Sequence, residues 1–354
     1  MAAWEANVRK VIPYTPGEQP NRADIIKLNT NENPYPPAPG VARVLQKIDT
    51  EVLRTYPDPT AGALVSALSE RYKMPEEQIF VGVGSDDVLA MSFLTFFNAK
   101  EPVLFPDITY SFYDVWAGLF HIPYECQPLD ANFEIVTEDY LKPCGGIVIP
   151  NPNAPTGAEK ELAQLERIIA ANSDVIVIVD EAYIDFGGES AVRLISEYDN
   201  LLVVQTFSKS RSLAGMRIGY AFGNEKLIKY LNDAKYSFNS YTMNTVTIAM
   251  GVEAVRDEAY FQETVGKVIA TREWTKRELQ RLGFVFPDSK SNFIFASHPK
   301  YPAKELFEAL KQEGIYVRYF AKPRIDNYLR ISIGTDEEMK ALIAFLDEYV
   351  GENI

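Results

Sequence analysis

Leu201-Leu202-Val203-Val204-Gln205-Thr206-Phe207-Ser208-Lys209-Ser210-Arg211 opens on four consecutive aliphatic residues and closes on hydroxyls gathered round one lysine. An unbroken apolar run has no polar face to offer water, so it reads as a strand covered on both sides. The same pattern stands at Val175-Ile176-Val177-Ile178-Val179, at Gly145-Gly146-Ile147-Val148-Ile149 and at Val103-Leu104-Phe105. Between these runs, 110–119, 162–171 and 190–197 have helical spacing. Upstream, a helix over Gly62–Tyr72 precedes the strand Gln78-Ile79-Phe80-Val81. A glycine turn, Gly82-Val83-Gly84, then leads through Ser85 and Asp86 into a helix reaching Phe97. Strands alternating with helices predict an α/β unit over 41–235, a mostly parallel sheet sandwiched by helices.

Past this unit, 242–282 reads as long helix bridging to a smaller α+β domain, the two together spanning 236–354. That domain has strands at 293–296, 315–318 and 328–333, with helices at 303–313 and 336–350. The arm before the large unit, 1–40, is rich in proline and asparagine: Ile12-Pro13-Tyr14-Thr15-Pro16-Gly17, then Asn29-Thr30-Asn31-Glu32-Asn33-Pro34-Tyr35. Its tyrosines and Leu28 predict that it lies ordered on a surface. Arg54-Thr55-Tyr56-Pro57-Asp58-Pro59 is a second proline-locked aromatic loop.

A net charge of −14 argues against nucleic-acid or anionic-membrane partners, and any phosphate must find a local cluster of cations. The two cysteines, Cys126 and Cys144, and two histidines, His121 and His298, form no metal-ligand pattern. No signal-peptide pattern and no run of about 18 apolar residues occurs, which predicts a cytoplasmic protein outside the membrane.

Ligands of open α/β sheets sit beyond the carboxyl ends of the strands. Here those ends carry Asp180, Tyr183, Ser208, Lys209 and Pro150-Asn151-Pro152-Asn153-Ala154-Pro155-Thr156-Gly157. A neutral lysine amine condenses with an aldehyde, while Ser208, Arg217 and the helix start at Ser85 and Asp86 suit a phosphate. An aldehyde that carries a phosphate is pyridoxal 5′-phosphate. Asp180 follows five aliphatics, so its carboxylate needs a partner, such as a protonated pyridine nitrogen. Taken singly, each feature has an ordinary alternative: a polar turn, a helix cap, a structural ion pair. Asp180, Tyr183, Lys209 and Arg217 in this order favour the cofactor.

At these residues the chain resembles the fold-type I, aspartate aminotransferase-like enzymes, and within them the histidinol-phosphate aminotransferases, from Tyr14 to Leu329-Arg330-Ile331-Ser332-Ile333-Gly334-Thr335. The resemblance implies that Lys209 is the Schiff-base lysine and carries a proton between substrate Cα and cofactor C4′. It implies that Asp180 pairs with the ring nitrogen, that Tyr183 bonds the ring oxygen O3′ and that Tyr110 stacks on the ring. Ser85, Asp86, Ser208 and Arg217 would cradle the phosphate. Tyr56 would reach the phosphate of a neighbouring subunit, making a homodimer with shared sites. Arg330 would hold the anionic end of the substrate, helped by Tyr14 and Arg318, although Arg318 reads equally as a strand-end surface charge. Asn239 and Tyr241 would line the substrate pocket if the loop after Lys235 folds over it.

The implied reaction takes L-histidinol phosphate and 2-oxoglutarate to imidazole acetol phosphate and L-glutamate, in histidine biosynthesis. An aromatic aminotransferase or a threonine-phosphate decarboxylase of the same family is the alternative. A regulatory module that binds the cofactor without turnover would carry a basic DNA-binding helix, and none is evident. One departure stands out. The family has asparagine before Pro-Thr-Gly to hold O3′, and this chain has Ala154, so O3′ is expected to rely on Tyr183.

Overall fold

The computed structural model describes residues 3–14, 17–20 and 24–351, so Thr15 and Pro16 of the arm lie outside it. The large sheet has seven strands. Their order in space is Ile79–Gly82, Gly219–Gly223, Leu201–Thr206, Val177–Asp180, Gly146–Pro150, Val103–Pro106, Tyr124–Gln127. Neighbours are parallel except at Gly219–Gly223, which runs against both strands beside it.

The apolar runs serve two cores. Ile147, Ile149, Val177, Val179, Leu201 and Val203 pack on one side of the sheet, and Val148, Ile178, Leu202 and Val204 on the other. Successive side chains of a strand point to opposite faces, so a sheet covered on both needs an aliphatic at every position. Burying each one contributes about 1.5–3 kcal/mol.

Two strands of the large sheet escape the sequence reading. Tyr124–Gln127 is an edge strand whose first three residues are exposed, so it shows no apolar run. Gly219–Gly223 is bounded by glycines that read as turns. Gly219 is needed there, because a Cβ would overlap the backbone of Gly84 and Ser85. Other elements are shorter than expected. The helix placed at 110–119 is Tyr113–Phe120, which leaves Tyr110 in the preceding connection. The segment 190–197 holds only a 3₁₀ turn, Ala191–Leu194.

The stretch 242–282 is two helices, Thr245–Arg256 and Glu258–Arg281. They divide at Asp257, whose carboxylate accepts the Tyr260 N–H (3.2 Å) and caps the second helix. The first buries Ile248, Met250 and Val255 in a core of the large sheet. The second buries Phe261, Val265 and Val268 with the strands of the smaller sheet. Residue 235 lies inside a helix, Glu225–Phe238.

The expected strand 315–318 is split between two sheets. Ile315–Tyr316 pairs in parallel with Ile26–Lys27 of the arm, while Arg318–Tyr319, Leu329–Ser332 and Phe293–Ala296 form an antiparallel sheet. Among the described residues no helix is long and apolar enough to cross a membrane.

This topology assembles the site. The carboxyl ends of Ile79–Gly82, Gly146–Pro150, Val177–Asp180 and Leu201–Thr206 share one edge, and the reversed strand brings Arg217, just before its start, to that same edge.

Candidate active site

A cavity at this edge is lined by Ser85, Asp86, Tyr110, Asp180, Tyr183, Ser208, Lys209 and Arg217, eight of the residues the sequence singles out. An adjoining cavity is lined by Tyr14, Arg318 and Arg330, and shares Tyr110, Tyr183 and Lys209 with the first.

The strand Leu201–Thr206 delivers the lysine loop. Thr206 Oγ1 accepts from the Ser208 N–H (3.1 Å) and bonds Ser208 Oγ (3.0 Å), which turns the chain sharply as it leaves the sheet. The next backbone carbonyls, of Lys209 and Ser210, accept from Asn33 Nδ2 at 3.0 and 3.2 Å. The loop is therefore clamped from the arm. Lys209 Nζ lies 5.7 Å from the centre of the Tyr183 ring and makes no hydrogen bond or ion pair among the described residues, so it is not committed to another group of the chain.

At one end of the cavity, Arg217 donates to Ser208 Oγ (3.3 Å), the Ala214 carbonyl (3.1 Å) and Asp86 Oδ2 (3.1 Å). It lies against Gly84, whose φ of +90° and lack of a Cβ let the guanidinium approach the start of helix Ser85–Phe96. Asp86 also accepts from the Tyr110 hydroxyl (2.6 Å). Burial, with Asp86 beside it, pushes the Tyr110 phenol well above its ordinary pKa, so it stays protonated and donates. Two serine hydroxyls, one guanidinium and the free N–H groups of a helix start converge there, which is a fit for phosphate.

Asp180 lies at the far side, buried, with Tyr113 Oη donating to Oδ2 (2.7 Å) and the Ala182 N–H to Oδ1 (3.2 Å). Desolvation raises its pKa from 3.8 to about 6, and those two bonds only partly oppose the rise. No cation pairs with it among the described residues. A carboxylate in that state calls for a positive partner.

The adjoining cavity has the opposite imbalance. Arg318 and Arg330 are direct partners across two paired strands, and neither meets a carboxylate among the described residues. Arg330 sits between Phe293 and Phe320, each ring centre 5.6 Å from its guanidinium. It donates to the Asn29 carbonyl (3.0 Å), yet its Nε is buried with no hydrogen-bond partner among the described residues. Burial, and Arg318 beside it, lower its pKa from the ordinary arginine value. Tyr14 stacks on Phe112 at 4.3 Å at the rim. Paired guanidiniums with an orphaned donor suit a dianion.

Three residues named from sequence stand apart. Tyr56 is 81% exposed and stacks on Tyr241 at 4.6 Å. Neither of these, nor Asn239, lines the two cavities; Tyr241 packs on Tyr56 instead. The sequence reading also missed four contributors. Tyr113 holds Asp180 and was masked by an expected helix that swallowed 110–119. Asn33 clamps the lysine loop, Glu32 lines the first cavity and Asn31 bonds Tyr183. Three polar side chains in a row, Asn31-Glu32-Asn33, in a segment expected to lie ordered were the available signal.

Comparison with known proteins agrees with this geometry. The family model described as aminotransferase class I and II matches residues 23–346. A histidinol-phosphate aminotransferase of Lactococcus lactis is 51% identical over 348 residues, 98% of each chain. One of Clostridium beijerinckii is 51% identical over 350 residues, covering 99% of this chain and 98% of that one. The crystal structure of histidinol-phosphate aminotransferase from Sinorhizobium meliloti in complex with pyridoxal-5′-phosphate is 22% identical, with a TM-score of 0.85 over 93% of this chain and 92% of that chain. The last of these speaks for the fold, and the first three for the family. With its strand-end lysine, unpaired aspartate and two anion-ready ends, the chain belongs to the class I and II aminotransferases.

Proposed function

We propose that the protein uses pyridoxal 5′-phosphate to transfer the amino group of L-histidinol phosphate to 2-oxoglutarate, giving imidazole acetol phosphate and L-glutamate in histidine biosynthesis. The observation that carries this reading is the placement of Lys209 between two separate cationic ends, Arg217 on one side and Arg318 with Arg330 on the other. A phosphorylated cofactor and a phosphorylated substrate need one each. The names of relatives at 51% identity supply the choice of amino donor.

The residues fit the cofactor. Asp180 is a buried carboxylate that meets no cation among the described residues, as a protonated ring nitrogen requires. Ser85, Ser208 and Arg217 would hold the phosphate, and Asp86 would serve through its backbone N–H and by aiming Arg217, since its carboxylate would repel an anion. Tyr183 would bond the ring oxygen, and Tyr110 would cover the ring. When bound, the group supplies an aldehyde for amines and an electron-poor ring that accepts the electrons released at a substrate carbon.

The chain's own part is positioning and proton transfer. Lys209 Nζ would anchor the cofactor, and its amine would be the base that takes the proton from the substrate Cα. Asp180 would keep the ring nitrogen charged, and Arg330 with Arg318 and Tyr14 would hold the substrate phosphate. We also propose that Tyr56 reaches the cofactor phosphate of a partner subunit in a homodimer, in keeping with its exposure and its distance from the cavity of its own chain.

Single-turnover rates with histidinol phosphate, phenylalanine and threonine phosphate test the choice of substrate. Histidinol phosphate is expected to react fastest. A dominant phenylalanine rate, or release of carbon dioxide from threonine phosphate, would overturn it. Arg330→Gln is expected to raise KM for the phosphorylated donor about 100-fold, the cost of losing one charged partner of a buried dianion. The absorption spectrum of the bound cofactor should stay as in the wild type, which separates substrate binding from cofactor binding.

A further inference from the structure

We propose that Asn31 is a positioning residue that sets the direction of the Tyr183 hydroxyl bond, and that it does for this chain indirectly what an asparagine at position 154 would do by contact. The inference rests on the proposed bond between Tyr183 and the ring oxygen of the cofactor.

A fixed chain of donors and acceptors carries it. The Asn31 backbone N–H donates to Ser332 Oγ (2.8 Å). Ser332 is thereby an acceptor on that side, and its own proton goes to Asn31 Oδ1 (3.0 Å). With Oδ1 accepting from Ser332, the amide nitrogen of Asn31 faces Tyr183 Oη (3.0 Å). An amide NH₂ only donates, so Tyr183 must accept there. Its hydroxyl makes no other hydrogen bond among the described residues, which leaves its proton to point into the cavity beside Lys209.

Turning the amide would set an N–H against the Ser332 hydroxyl and take away the acceptor of its proton. Asn31 and Ser332 are both buried, where a lost partner is costly, and the backbone carbonyl of Asn31 is held by Asn292 Nδ2 (3.0 Å). Asn31 also adopts φ +55°, a left-handed conformation that asparagine tolerates better than most residues.

Nothing on the other side of the cavity does this work. Ala154 lines the cavity with a methyl group. Asn153 donates to the Ile108 carbonyl (2.9 Å) and accepts from Thr109 (3.0 Å), so its amide is spent outside the cavity. A phenol that accepts a hydrogen bond becomes a better donor through its own proton. Asn31 thus makes Tyr183 a stronger donor of fixed direction. Because Ser332 stands two residues after Arg330 on one strand, the same chain of bonds links the anion-binding strand to the ring oxygen.

The test is a pH titration of the absorption spectrum of the holoenzyme. Tyr183→Phe is expected to raise the midpoint. Asn31→Ala is expected to raise it less, by roughly 0.5 to 1 pH unit, the weight of one neutral hydrogen bond, and to lower kcat while KM for the donor changes little. Asn31→Asp keeps the packing but turns an acceptor toward Tyr183, so its midpoint should move further than that of Asn31→Ala. Adding Ala154→Asn to Asn31→Ala should bring the midpoint back toward the wild type. A shift in Tyr183→Phe with none in either Asn31 variant overturns the inference alone. No shift in Tyr183→Phe removes the role given to Tyr183, and the inference with it.

Discussion

Replacing Lys209 with alanine is expected to lower the single-turnover rate with histidinol phosphate by at least about 10⁴-fold, the range of a lost general base, and more where the covalent anchor also counts. The protein should remain folded, because the loop is held by contacts that do not involve the amine. Thr206 bonds Ser208, and Asn33 bonds the Lys209 and Ser210 carbonyls. A melting curve close to that of the wild type, together with loss of the absorption band of lysine-linked cofactor, is the predicted pair of observations. Transamination that survives without the band would remove Lys209 from the proposed chemistry. An added amine that restores part of the rate would place the defect at the missing base.

The second large effect is expected at Asp180, where activity and stability should move in opposite directions. Asp180→Asn removes the negative charge facing the ring nitrogen. At roughly 4 kcal/mol for an unpaired buried charge this is about a 10³-fold loss of rate. The cofactor-free protein should gain. Burial raises the Asp180 pKa from 3.8 to about 6, so the folded state holds a proton that the unfolded state has released. Stability is then full below pH 4 and falls as pH rises through 6, by up to about 3 kcal/mol for a shift of about two units. Asparagine carries no such slope, and Tyr113 can reverse its hydrogen bond to suit the amide. Glu181 is also raised, from 4.5 to about 7, by desolvation against the bonds from Ser190, Ala191 and Gln205, so a shallower decline toward neutral pH should persist in the variant. Thermal melts of cofactor-free wild type and Asp180→Asn from pH 4 to 8 check this. Curves that stay parallel over that range would show that Asp180 is not destabilised by burial.

Most of the layered architecture was legible because its signal is local. Three of the five aliphatics before Asp180, and all four of Leu201–Val204, lie in strands buried on two faces, and Gly62–Tyr72 and Leu162–Ala171 have bounds read directly from helical spacing. What escaped was structure whose stability comes from its neighbours. Tyr124–Gln127 is half solvated and is a strand because Val103–Pro106 pairs with it. Gly219–Gly223 is a strand because it fills the slot between Ile79–Gly82 and Leu201–Thr206. Arg318 could be read as a surface charge until its register opposite Arg330 was known.

The sequence by itself determined the chemical inventory: a lysine and an aspartate at the ends of buried strands and an arginine soon after the lysine, in an order that resembles one family of enzymes. Runs of apolar residues and the groups that follow them are properties of adjacent positions, and they survive without coordinates. Only the tertiary structure decided which groups share a cavity and which of them are hydrogen-bonded to one another. Asn31 and Ser332 lie 301 positions apart, and Tyr113 reaches Asp180 across 67. No periodicity records such pairs, because they arise when the arm, the large sheet and the small sheet close on one another, and burial then compels each polar group to find a partner.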